Sequence, residues 1–166
     1  EFNNKSISSI RACILDRPRH KKIIDELKDL NVKIKLIKDG DVLGALYVSD
    51  PKYDVDIFFG IGGGPEGVIA ASALDAYDCH FQGRFIFDND KDIQDAKNMG
   101  ISDFNKKYEL NEIVKGDSIF CATGITNSEI LKGITINNNE YISETLVTHK
   151  SSDYIEIIKN INLIDE

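Results

Sequence analysis

Three short loops hold the side chains of this chain that could do chemistry together. Arg17-Pro18-Arg19-His20 follows the apolar run 12–15, Asp39-Gly40-Asp41 follows the run 32–37, and Gly60-Ile61-Gly62-Gly63-Gly64-Pro65-Glu66-Gly67 follows the run 55–59. The first offers guanidinium forks, whose planar donors match phosphate oxygens. The second offers two carboxylates one residue apart, able to accept bonds from sugar hydroxyls or to approach a metal. The third offers backbone amides at a glycine-rich turn and a carboxylate, Glu66, at a helix start. Loops that follow parallel strands emerge at one edge of a sheet, where open α/β folds bind their ligands. An edge so furnished suits a small phosphorylated polyol handled with a divalent cation.

Each loop also has a plainer reading. Positive charge at a helix start opposes the helix dipole, which favours anions there. The cluster Arg17, Arg19, His20, Lys21 and Lys22 therefore costs stability unless an anion binds. Helix amides and two arginine forks would seat a phosphate, with Arg17 and Arg19 better candidates than the solvated Lys21 and Lys22. Asp39-Gly40-Asp41 taken alone reads as a turn and a helix cap; its two neighbouring loops favour a ligand role. Gly62, Gly64 and Gly67 match the spacing of a dinucleotide fingerprint, with Asp88 further on, so a Rossmann-type site is the competing reading. Against it, the motif belongs to the third β-unit rather than the first, and Glu66 would repel a pyrophosphate. A metal ion between carboxylate and phosphate removes that conflict. A fourth loop, Ala122-Thr123-Gly124-Ile125-Thr126, reads as a turn with capping hydroxyls.

The elements that must position these loops follow from periodicity. Pro18 opens a helix reaching residue 30, with Ile23, Ile24, Leu27 and Leu30 on one face. Residues 32–37 alternate apolar side chains with Lys33 and Lys35 as a strand with one wetter face. A short helix is expected over 41–48, a continuous apolar strand over 55–59, and a helix over 66–76 behind Pro65. A weaker strand over 84–87 precedes a helix over 90–99 that Gly100 stops. A short helix over 109–114, a buried strand over 118–122 and a helical turn over 128–131 come next. Residues 134–136, 141–148 and 154–158 read as antiparallel strands, with Asn137-Asn138-Asn139 as a turn. The fold class is α/β: a mixed, mainly parallel sheet flanked by helices, with a β-rich C-terminal end. The whole chain, 1–166, is read as a single domain.

Composition narrows the partners. A formal net charge of -8 argues against a broad nucleic-acid or anionic-membrane surface. No apolar stretch approaches membrane-spanning length. Cys13, Cys79 and Cys121 show no metal-knuckle or redox-pair spacing; Cys13 and Cys121 lie in apolar runs and read as buried free thiols of a reducing cytoplasm. The chain begins with Glu1 rather than methionine, which reads as a processed product, a subclone or a piece of something longer.

The assembled motifs resemble the C-terminal half of class II, GlpX-type fructose-1,6-bisphosphatases, some of which also act as sedoheptulose-1,7-bisphosphatases. The likeness covers about 10–158 and rests on LDRPRH (15–20), DGDV (39–42), GIGGGPEGVIAASAL (60–74), QGR (82–84), MGI (99–101), IFCATGIT (119–126), LKG (131–133) and ETLV (144–147). The resemblance implies the layered fold of the metal-dependent sugar and inositol phosphatases, a role in gluconeogenesis, and a Mn²⁺ or Mg²⁺ cofactor. It implies that Arg17, Pro18 and Arg19 contact the uncleaved phosphate, that Asp39, Gly40 and Asp41 contact the sugar, that Gly63 meets substrate through its backbone, and that Glu66 is a metal ligand. It further implies that the other metal carboxylates and the residues that activate the nucleophile belong to an N-terminal half absent here. The expected partners are that half or a second chain, and further copies in a homo-oligomer. The family usually has alanine at Gly64, and arginines where this chain has Thr148-His149-Lys150.

Overall fold

A computed structural model describes residues 4–164, so Glu1 lies outside them. The first part alternates strand and helix. Strand β1 (Arg11–Leu15) passes through a 3-10 turn (Pro18–His20) into α1 (Lys21–Asp29). Strand β2 (Lys33–Ile37) leads to α2 (Asp41–Ala45), which a 3-10 turn (Leu46–Ser49) prolongs, and β3 (Ile57–Phe59) leads to α3 (Gly64–Asp75). Gly40 makes the second of these entries possible, since its φ of 82° lies in the left-handed region that lacks a penalty only for glycine. The strands pair in parallel in the order β2-β1-β3. Central β1 has Ala12, Cys13, Ile14 and Leu15 buried, as a strand covered on both faces requires.

Two layers of helix contacts build the core. Ile24 and Leu27 of α1 are buried, while Cys13 packs with Tyr47 and Val55. Helix α2 lies close against the parallel sheet, and Gly44 allows this: a Cβ there would come within 2.5 Å of Ile37 Cδ1 and 2.9 Å of the Phe58 ring. The main core joins Ala45 and Leu46 to Ala70, Ala73 and Leu74 of α3, and these to Phe120, Leu131 and Leu146. Helix α3 thus sits between the parallel sheet's helix layer and the C-terminal strands.

In the second part, β4 (Gln82–Gly83) and β5 (Tyr108–Glu109) form a small antiparallel pair around α4 (Asp90–Asn98), and α5 (Leu110–Ile113) follows. Then come β6 (Ile119–Thr123), β7 (Thr135–Asn137), β8 (Glu140–His149) and β9 (Tyr154–Leu163). All pair antiparallel on β8: β6 and β7 end to end along one side, β9 along the whole of the other. The expected parallel sheet flanked by helices, with antiparallel strands at the C-terminal end, is what the chain forms, as two separate sheets with helices between. Among the described residues no helix is long and apolar enough to cross a membrane.

Four expectations need correction. The strand expected over 84–87 is only Gln82–Gly83. Beyond it, Phe85 and Phe87 stack on each other at 6.1 Å and turn their rings to Tyr108 and Phe104, so side-chain packing holds the segment. The helical turn over 128–131 is an irregular loop, tied by Ser128 Oγ, which accepts the Ile130 and Leu131 amides. Cys121 is exposed while Cys13 is buried: strand alternation sends Phe120 into the core and Cys121 to the opposite face. The last strand runs to Leu163 rather than to 158.

Candidate functional site

The parallel pairing brings the three loops to one edge, and side chains join each to the others. An Arg17 guanidinium nitrogen donates to Asp39 Oδ1 at 2.6 Å, linking the first loop to the second. Arg19 Nε donates to the Ile61 carbonyl at 2.5 Å, linking the first to the third. Asp41 Oδ2 lies 3.7 Å from where a Gly62 Cβ would stand, which brings the second against the third. The strand order makes this edge the natural ligand seat. The chain passes from β1 to β2 on one side, then crosses to β3 on the other, so the β1 and β3 loops flank a topological switch point.

His20 locks that junction from beneath. It is fully buried. Its Nδ1 is 2.8 Å from the Leu15 carbonyl, and its Nε2 accepts the Ile61 amide at 2.9 Å. A ring that accepts at Nε2 donates through Nδ1, so both ring nitrogens of His20 are engaged by the chain's own backbone rather than turned to a ligand. The signal was present in the sequence: His20, Ile24 and Leu27 share the i, i+4, i+7 spacing of one helix face, and all three are buried. The lysines behave as expected of solvated groups, with Lys21 on Asp25 at 2.5 Å and Lys22 near Glu26 at 4.0 Å.

The edge is open to solvent. Pro18, Arg19, Asp39, Gly40, Gly63 and Glu66 are exposed, and Arg17 and Asp41 are half-buried. Arg17 and Asp39 neutralise one another, so a phosphate at Arg17 must compete with or share that bond. Glu66 stands in the first turn of α3 with its carboxylate folded over Gly63, where a side chain would collide with it. Among the described residues no group of three or more His, Cys, Asp or Glu is arranged to hold a metal ion. Mg²⁺ takes about six oxygen ligands. Glu66 alone could supply at most two such oxygens, so the described residues do not furnish a complete metal site.

The dinucleotide reading finds little here. The third glycine of that fingerprint exists for close helix–strand packing, yet a Cβ at Gly67 or at Gly64 would meet nothing within 4 Å. Asp88 follows no strand; its amide donates to Asp92 at the start of α4. The fourth loop is structural. Gly124 is buried, its amide bonds the Glu144 carbonyl at 2.9 Å, and a Cβ there would strike the Lys132 backbone. Gly133 would likewise meet Thr126 C at 2.7 Å, so both glycines allow two backbone segments to cross. Glu144 pins the crossing by accepting the Lys132 amide at 2.8 Å.

Known proteins share this arrangement of sequence. The family model for bacterial fructose-1,6-bisphosphatase, glpX-encoded, matches residues 1–162. A fructose-1,6-bisphosphatase class 2 of Haemophilus influenzae is 34% identical, over 98% of this chain and 53% of its own length. The corresponding class 2 enzyme 1 of Escherichia coli K12 is 34% identical, over 97% of this chain and 52% of its own. A D-fructose 1,6-bisphosphatase class 2/sedoheptulose 1,7-bisphosphatase of Trichodesmium erythraeum is 30% identical, over 100% and 52%. The chain thus spans about half the length of these relatives. It belongs to the family of bacterial, glpX-encoded fructose-1,6-bisphosphatases.

Proposed function

We propose that this chain is the substrate-binding half of a metal-dependent sugar bisphosphatase. The complete protein hydrolyses the 1-phosphate of fructose 1,6-bisphosphate, and sedoheptulose 1,7-bisphosphate as a second substrate, in cytoplasmic gluconeogenic metabolism. The observation that carries this reading is the mutual bonding of three loops, one basic, one acidic and one glycine-rich, at the switch point of a parallel sheet. Arg17, Pro18 and Arg19 form the seat of the uncleaved phosphate. Asp39, Gly40 and Asp41 orient the sugar hydroxyls. Gly63 offers its backbone to substrate, and Glu66 contributes one carboxylate to a Mn²⁺ or Mg²⁺ site.

A bound divalent metal of this kind activates water and stabilises the attacking and leaving oxygens of an in-line displacement. The residues of this chain do the rest of what can be assigned to it: they bind, orient and place one negative charge beside the scissile phosphate. The remaining carboxylates belong to the complementary half, from the same polypeptide or from a second one, and the complete enzyme is a homo-oligomer.

Two measurements test the reading. Calorimetry with fructose 1,6-bisphosphate should show binding to this chain that Arg19→Ala weakens roughly tenfold to a hundredfold, the value of a charged hydrogen bond of about 1.5–3 kcal/mol. Phosphate release with Mn²⁺ should stay at background; turnover near the ordinary enzymatic rate of about 10 per second by the pure chain would refute the half-site reading. NAD binding without sugar-phosphate binding would return the dinucleotide alternative. Metal-independent binding unaffected by Glu66→Gln would favour a non-catalytic sugar-phosphate-binding domain.

A further inference from the structure

Strand β9 carries a long apolar row in an exposed environment. Directly paired residues of antiparallel strands share a face of the sheet. Leu146 is paired with Ile157, yet Leu146 is 2% exposed and Ile157 44%. Thr148, at 1%, is paired with Ile155, at 42%. The row continues with Ile161 and Leu163, exposed at 57% and 67%. The core-facing side of the sheet is covered by α3 at β6 and β8, and left bare one strand further on. Lys159 is the only charge in that row. Among the described residues no other strand pairs along the far side of β9. Monomeric proteins blunt such edges with prolines, charges, bulges or short strands; β9 runs ten residues in unbroken register without proline.

We propose that this bare face and free edge of β9 are where the complementary half of the family fold docks: the polypeptide equivalent to the part of the relatives that this chain does not span. The inference rests on the half-site reading above. Three observations select that occupant. The relatives carry about as much polypeptide again as they share with this chain. Helix α3 is apolar nearly all round, the signature of a helix buried between layers, yet Val68 and Ile69, two and three residues after Glu66, are exposed at 48% and 46%. Bare apolar surface therefore also borders the carboxylate that lacks companion ligands. A second copy joined edge to edge through β9 would satisfy the backbone but leave both rows of isoleucine open, because it adds the same uncovered strand.

The test co-expresses this full chain with the portion of the Haemophilus influenzae relative outside the matched region, and measures association by size-exclusion chromatography with light scattering. The expected result is a one-to-one complex that the double substitution Ile157→Glu, Ile161→Glu weakens at least tenfold, while Asn160→Glu on the opposite face leaves it intact. Circular dichroism verifies that each variant is folded. Fusing the two parts in one polypeptide removes any dependence on the added part folding alone; there the β9 amides should gain protection from hydrogen exchange. A complex indifferent to the double substitution overturns the proposal. So does unchanged exchange in the fusion, or a homodimer of this chain that the double substitution dissolves. Fructose 1,6-bisphosphate binding by the chain alone separates the two claims. If docking occurs without sugar-phosphate binding, the functional reading fails; if sugar-phosphate binds but β9 docks nothing, only this proposal does.

Discussion

Strands β1 and β9 are built from similar residues and meet opposite fates. In β1, four of five residues are buried; in β9, nine of ten are exposed. Yet β9 contains Ile155, Ile157, Ile158, Ile161 and Leu163, an apolar set suited to a core. The difference lies in what the chain places beside each strand. Around β1 it supplies helices on both faces, two flanking strands, and loops at the C-terminal edge tied by Arg17, Arg19 and His20. Among the described residues, the strand paired with β9 is β8. The loops at the edge of the parallel sheet are therefore tied to one another within this chain, whereas β9 is left exposed. Bonds between the loops hold the candidate site near one geometry before any ligand arrives, which lowers the ordering cost of binding.

A pair of substitutions across one sheet register should separate covered from uncovered strand most strongly. Leu146→Ala should cost about 2–5 kcal/mol in urea denaturation, the range for emptying a packed core position. Ile157→Ala, directly opposite on the same face, should change stability of the isolated chain by less than about 0.5 kcal/mol, as an exposed position does. Equal losses would mean that β9 is covered in solution. The next effect concerns the backbone crossing that anchors β6. Gly133→Ala should cost roughly 1–3 kcal/mol by overpacking, because its Cβ would meet backbone at 2.7–2.8 Å. Gly67→Ala in the open first turns of α3 should instead stabilise by roughly 0.5–1 kcal/mol, and thermal melting distinguishes the two.

The smallest effect falls at the turn that launches β9. Asp117 accepts from Ser151 and, at 2.7 Å, from His149 Nε2. The Ser151 bond, then the His149 bond, hold the Asp117 carboxyl below its ordinary 3.8. A folded value below the unfolded one gives a contribution that is present above the unfolded value and lost as pH falls through the folded one. The β8–β9 turn should therefore loosen below a pH of about 3.8, visible as amide chemical-shift changes around Asp153. Asp117→Asn should abolish that acid dependence; a profile identical to the parent's would show that other carboxylates govern the turn.

Much of the site was legible without coordinates. Each of the three loops follows a strand and leads into a helix, as periodicity, Pro18, Gly40 and Pro65 indicate. The motif blocks lead to the same family as the comparisons do. The pairing of Arg17 with Asp39 was not legible, because nothing local connects residues 22 apart in the chain. Nor was the exposure of Cys121: an apolar run records a preference for cover, and alternation leaves open which face receives it. Gly124 looked like a turn residue, whereas it and Gly133 each stand where one backbone segment crosses another.

The order of residues dictates local features: where strands and helices begin, which loops carry charge, and which surfaces seek burial. These follow from backbone conformational preference and side-chain periodicity, which act over a few residues. The partners are set by packing in three dimensions: that β6 joins β8 rather than the parallel sheet, that His20 binds Ile61, and that β9 is left exposed. Such choices depend on long-range register and on how much polypeptide is present to cover a face, and no window along the chain contains that information.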